Sequence, residues 1–224
     1  MSLWSRISSA VQSVGSSVST LFGGGDAAPE KSVAFTIGMI ALSAKMARAD
    51  GAVTHDEVKA FNDVFQVPEN DKASVERVFN LAKQDIAGFE SYAERVAKMF
   101  DGGAETLENV LDGLFHIAKA DGAVHQDELN YLRRISEIFG FSANDFNRIR
   151  ARHVATADDP YAILGLPPTA SIEEVKKHYR NLARELHPDK QVAAGMPREL
   201  IVIASERLAR INAAYNDIMK GQHA

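Results

Sequence analysis

SIEEVKKHYRNLARELHPDK, residues 171–190, decides how the last third of this chain folds. Ser171 and Glu174 have capping-box spacing, in which hydroxyl and carboxylate each take the other residue's free backbone N–H and so open a helix. Val175, Leu182 and Leu186, with His178 and Tyr179 beside them, recur at helical spacing and mark a core-facing row. Lys176, Arg180 and Arg184 stand four residues apart on another face, with Lys177 alongside. Pro188 ends the helix, because its ring fixes its own φ and disfavours helical backbone at His187. His187-Pro188-Asp189 is therefore a loop that presents a carboxylate in a fixed place.

The flanks agree with this. Upstream, Tyr161-Ala162-Ile163-Leu164-Gly165-Leu166 gives a brief apolar helix ending at a glycine, and Pro167-Pro168 forbids its continuation. Downstream, a helix from about Pro197 to Lys220 repeats Leu208, Ile211, Tyr215 and Ile218. Two helices sealed along these rows hold the loop at one end of a hairpin. In this order and at this spacing, residues 161–224 resemble the J domain of the DnaJ co-chaperone family. The resemblance implies that Asp189 engages an arginine of a DnaK-type chaperone. It also implies that the stripe Lys176, Lys177, Arg180 and Arg184 meets an acidic face on that partner, speeding its ATP hydrolysis. Asn181 sits where many family members carry another basic residue. A catalytic role for His187 and Asp189 as base and orienter lacks a nucleophile or an oxyanion site, so the chain reads as a regulator and not an enzyme. Neither a glycine/phenylalanine-rich linker nor a zinc-binding cysteine set is present, which in this family implies a specialist whose client or location is set by its N-terminal parts.

Residues 31–153 show helical periodicity throughout, near 32–48, 54–65, 71–85, 89–100, 104–119, 126–139 and 142–152, punctuated by Pro68, Gly88, Gly102-Gly103 and Gly140. Within them lies an internal repeat. Residues 47–57 and 118–128 both carry Ala-Asp-Gly-Ala-Val followed by Asp-Glu, with eight of eleven positions identical. That predicts two related helical hairpins about a pseudo-twofold axis. Two readings of the acids stay open. Asp50, Glu57, Asp121 and Glu128 could supply four hard oxygen ligands to a divalent metal. Alternatively, Gly51 and Gly122 are left-handed helix caps and the acids complement the dipole of the next helix. His116 falls on an apolar face and is expected in the core. The repeat resembles the TerB-type domain, and a TerB-type domain followed by a J domain is the organisation of the DjlA-type bacterial co-chaperones. Members of that group carry an N-terminal transmembrane anchor that is not legible here.

The composition bounds the rest. The chain has 224 residues, no cysteine and a formal charge of −5. Nine Lys/Arg against eight Asp/Glu from Asp159 onward leave −6 on the part before it. Disulfides and thiolate metal sites are excluded, and there is no basic footprint for nucleic acid. The nearest approach to a membrane-spanning apolar stretch, residues 33–44, runs twelve residues without a charge, is too short to span a bilayer and suits a buried core helix. Residues 1–22 form an amphipathic helix on the wheel: Leu3, Trp4, Ile7, Val11, Val14, Val18, Leu21 and Phe22 make one stripe opposite a face of serines. The stripe either lies in a membrane interface or docks on protein, the central domain or a second copy. Residues 23–30 and 154–160 are linkers. The expected architecture is all-α: amphipathic helix, helical bundle with an internal repeat, and J-domain hairpin. No cofactor is required, a divalent metal at the repeat is the candidate, and the expected setting is bacterial cytoplasm or the inner face of its membrane. The rival to a co-chaperone is a metal-responsive binding module whose J domain is idle.

Overall fold

The computed structural model describes residues 4, 6, 7, 9, 28–46, 55–65, 67–84, 88–100, 103–154, 159–193 and 198–221. Among them there is no strand, as the all-α reading requires. Two compact units divide between Phe141 and Ser142.

The first unit is built around α1 (Ala28–Met46), in which every residue from 34 to 44 is buried. A helix apolar on all sides must be surrounded. Four neighbours do this: α2 (His55–Val64), α3 (Lys72–Gln84), α4 (Phe89–Met99) and α5 (Ala104–Ala118). The uncharged run at 33–44 is thus a core helix. Among the described residues no helix is long and apolar enough to cross a membrane. The buried Ser43 hydroxyl is satisfied inside its own helix, donating to the Met39 carbonyl at 2.8 Å. Aromatic edges lock the surround: Phe35 meets Phe100 edge-on at 5.5 Å, and Phe61 meets Phe79 at 5.3 Å. The sixth helix, α6 (Gln126–Ile138), packs on α4 and α5. It ties back to the axis through Tyr131, whose hydroxyl donates to the Leu42 carbonyl at 2.8 Å.

The repeat appears as two helix–connector–helix pairs, α1 with α2 and α5 with α6. In the second copy, α5 runs into a 3-10 turn over Lys119–Asp121, and Gly122 closes it with φ +110°. That left-handed backbone is where glycine is favoured. A capping box of His125 and Glu128 then opens α6. The first copy's connector, residues 47–54, lies outside the described residues. One expectation is corrected: His116 is exposed and not in the core. Its neighbours Phe115 and Ile117 are buried, which made the local sequence look apolar. Residues 107–115 of α5 are buried without a break, and His116, near the C-terminal end of that helix, is exposed. Among the described residues the buried histidine is His153, 3% exposed, with Nδ1 3.5 Å from Nη1 of Arg210.

At the chain's start, Trp4, Arg6, Ile7 and Ser9 are helical. Trp4 and Ile7 are buried by the protein itself, while Ser9 is exposed. Leu3, Val11, Val14, Val18, Leu21 and Phe22 lie outside the described residues.

The second unit begins with α7 (Ala143–Val154), which packs on the short α8 (Pro160–Leu164). Pro160 sits at the first turn of α8, where its missing N–H costs nothing, and Asp159 caps it by accepting from the Tyr161 N–H at 3.0 Å. Gly165 stops it with φ +73°. The long α9 (Ile172–Glu185) and α11 (Arg198–Gly221) pack together, and α8 lies on α11. Leu164, Val175, Leu186, Ala204, Ile211, Ala214 and Ile218 form the buried cluster, with Tyr179, Leu182, Leu208 and Tyr215 against it. These include the core rows expected from periodicity.

Two outcomes follow. Burial, and secondarily the charge of Glu90, hold the Tyr131 phenol well above its ordinary range. Below that range Tyr131 is protonated whether folded or not, and the fold's stability is complete. As pH rises, the unfolded chain ionises first, so stability is lost on the way up through the raised pKa. Tyr131→Phe should remove that alkaline slope and cost about 1 kcal/mol at neutral pH by deleting one hydrogen bond, both read by urea denaturation across pH. Gly165→Ala should destabilise the second unit by about 1–2 kcal/mol, since a side chain at left-handed φ is strained. Its new methyl would also meet Cδ of Arg148 at 2.7 Å. A lowered melting transition by calorimetry checks this.

Candidate functional site

The site is assembled on α9. Its N-terminus is closed by the expected capping box: the Ser171 N–H donates to Glu174 Oε2 at 2.8 Å, and the Glu174 N–H donates to Ser171 Oγ at 3.3 Å. The Ser171 backbone and hydroxyl bonds pull the Glu174 carboxyl below its ordinary range. Glu173 and Glu174 occupy the first turn and Arg184 the last, so the helix's ends carry charges opposite to its dipole.

Lys176, Lys177, Arg180 and Arg184 are all exposed, and Arg180 Nε donates to the Lys176 carbonyl at 3.1 Å along the helix. That bond holds the guanidinium stem on the stripe. On the inner side Tyr179 stacks on Tyr215, centroids 4.0 Å apart and planes at 10°, and its hydroxyl donates to Asn212 at 3.1 Å. His178 Nε2 lies 2.9 Å from the Leu164 carbonyl, linking α9 to α8. Asn181 is exposed. The helix thus has a face that is locked and a face that is cationic.

The last turn delivers the loop. Leu186 caps α9 with its N–H on the Leu182 carbonyl at 2.9 Å and buries its side chain in the cluster. His187 and Asp189 then stand outside, with side chains 57% and 93% exposed. The Asp189 N–H donates to His187 Nδ1 at 3.2 Å, so the ring is held across the loop and its Nδ1 is an acceptor. His187 Nδ1 and Asp189 Oδ2 are 3.8 Å apart. Sequence reasoning placed the tripeptide between helices but missed that Pro188 opens one of its own, α10 (Pro188–Ala193). The signal was present: proline at a first helical position followed by an acid in the first turn. Six residues are too few for periodicity to show.

The metal candidates are not brought together by anything described. Glu128 is 2% exposed and its Oε2 accepts the His125 N–H at 2.7 Å as part of the α6 cap. Asp50 and the side chains of Glu57 and Asp121 lie outside the described residues. Among the described residues no group of three His, Asp or Glu side chains is placed to hold a metal ion.

Comparison with known proteins matches two family models to the chain, one after the other. The family model of the tellurite resistance protein TerB matches residues 36–151, and the DnaJ domain model matches 159–223. The first match ends inside α7, which packs with the second compact unit. Curated relatives include three proteins named co-chaperone protein DjlA. That of Photobacterium profundum is 29% identical over 85% of this chain and 79% of the relative. That of Vibrio cholerae is 28% identical over 89% and 82%, and that of Coxiella burnetii 30% over 78% and 73%. No solved structure matches. With both domain models matched in order and the co-chaperone relatives aligned across most of its length, the chain belongs to the DjlA family, a TerB domain followed by a C-terminal DnaJ domain.

Proposed function

We propose that this chain stimulates ATP hydrolysis by a DnaK-type chaperone, and that the TerB domain recruits a client or sets the location. One observation carries the proposal: an exposed carboxylate and imidazole stand at the end of a capped helix whose exposed stripe is basic and whose other side is locked in a core. An exposed acid held in place can pair with a partner cation without first losing conformational freedom. A cationic stripe meeting an acidic face raises the association rate and makes it depend on salt, with a screening length of about 8 Å at physiological ionic strength. Neither group needs to make or break a bond. Both act by binding one state of the chaperone better than another, which is what shifts an equilibrium.

The relatives' printed names support the co-chaperone class. The resemblance of the His187-Pro188-Asp189 loop supports the choice of partner. The buried Trp4 and Ile7 support docking of the N-terminal stripe on protein.

Steady-state ATP hydrolysis by a DnaK-type chaperone is the test. Wild type should stimulate it, His187→Gln and Asp189→Asn should each return it to the basal rate, and circular dichroism should show both variants folded. Stimulation that survives both substitutions overturns the proposal. Arg180→Glu should raise the half-saturating concentration by about tenfold at low salt, with the gap narrowing as ionic strength increases, because an exposed charge acts mainly on encounter.

A further inference from the structure

Gln191 stands four residues beyond His187, and its side chain is 2% exposed. A polar amide buried so close to an exposed loop calls for a structural reason. The backbone from 185 to 191 carries the loop. At its near end α9 finishes at Glu185, and the last carbonyls of a helix have no amide of their own helix to accept from. At its far end the N–H groups of Lys190 and Gln191 both donate to the His187 carbonyl, at 3.0 and 3.1 Å. Those two bonds close α10 on its own first turn and leave its orientation against α9 unset. The Gln191 side chain supplies that link: Nε2 donates to the Glu185 carbonyl at 2.5 Å. One amide thus takes up an orphan acceptor of α9 from the first turns of α10, with His187, Pro188 and Asp189 spanned between.

We propose that Gln191 is the positioning residue of the His187-Pro188-Asp189 loop, clamping α10 to the end of α9 and so fixing where the Asp189 carboxylate stands. The proposal rests on the loop being the chaperone contact. The clamp adds nothing to the contact surface. It raises the fraction of molecules whose loop is already in the binding geometry. Apparent affinity scales with that fraction, so releasing the clamp weakens binding and leaves the bound complex as competent as before. The length of the side chain matters: asparagine is one methylene shorter and cannot span the same gap from the same backbone.

Two substitutions separate the clamp from packing. Gln191→Met keeps the unbranched volume and removes the donor. Gln191→Glu keeps size and polarity but, ionised, has no N–H to give. A single net hydrogen bond corresponds to about fivefold in an equilibrium. Both variants should therefore raise the half-saturating concentration for chaperone stimulation, by up to about fivefold, with the maximal rate within twofold of wild type, and in Gln191→Met the melting temperature of the full chain should fall by no more than about 2–4 °C. Hydrogen exchange at the Lys190 and Gln191 amides, followed by NMR without any chaperone, should accelerate by a similar factor. Unchanged exchange and unchanged half-saturation in Gln191→Met would overturn the proposal. So would a fall in maximal rate that tracks a lowered melting temperature, since Gln191 would then hold the fold and not the loop. Should wild type fail to stimulate any DnaK-type chaperone, the functional reading falls while the exchange measurement still decides whether the clamp exists.

Discussion

Pro188 has no amide hydrogen, and its ring pushes His187 out of the helical region. The second unit is arranged around that one covalent constraint. Because α9 cannot continue, its final carbonyls need other donors, and Leu186 must turn the chain while staying in the core. The same proline that stops α9 starts α10, since at a first helical position neither its missing N–H nor its fixed φ is a defect. Termination and initiation thus fall within three residues, leaving His187 and Asp189 no room to be anything but exposed. The stacked Tyr179 and Tyr215 and the buried cluster below them make the base from which the turn projects.

The first unit obeys a different constraint, the burial of α1. Eleven consecutive residues, 34–44, are buried, so this helix has no solvent face to stabilise it and depends on neighbours from both halves of the repeat. Tyr131 shows the arrangement most directly. It sits on α6 in the second half, yet its hydroxyl is spent on a carbonyl of α1 in the first. A repeat whose halves share one core helix cannot be two independent hairpins.

Much of this was legible in the sequence because capping and periodicity are local. Ser171 with Glu174, the glycine at 165 and the rows on α9 and α11 gave those helices nearly to the residue. The loop was legible for the same reason: proline acts on its immediate neighbours. What was not legible depends on direction in three dimensions. His116 lies between buried Phe115 and Ile117 and just beyond a stretch of α5 that is buried on every side, so nothing in the local sequence marks it as exposed. His153 reads as a basic residue near a helix end, and only its proximity to Arg210, fifty-seven residues away, makes it a core group. The six residues of α10 were too short for periodicity, and the tie from Gln191 to Glu185 runs across a turn that no pattern of apolar residues records.

The division of labour between the units follows from where their polar groups go. In the first unit the buried polar residues are turned inward: Ser43 is closed within its own helix and Tyr131 on its neighbour's backbone, while Glu128 is committed to a helix cap. In the second unit the polar groups that matter are turned outward, and the inner ones serve them. Leu186 and Gln191 are buried at 1% and 2% on either side of a loop whose His187 and Asp189 side chains are more than half exposed. Exposure alone would leave those side chains free to wander, at an entropic cost on every encounter. Burial of the residues that flank them removes that cost in advance. A chain acting as proposed, by binding alone, influences a partner only through the difference in how well it fits two of the partner's states, and a fit of that kind requires a rigid donor surface. In the function proposed for this chain, the locked face of α9 is therefore as much a part as the cationic one.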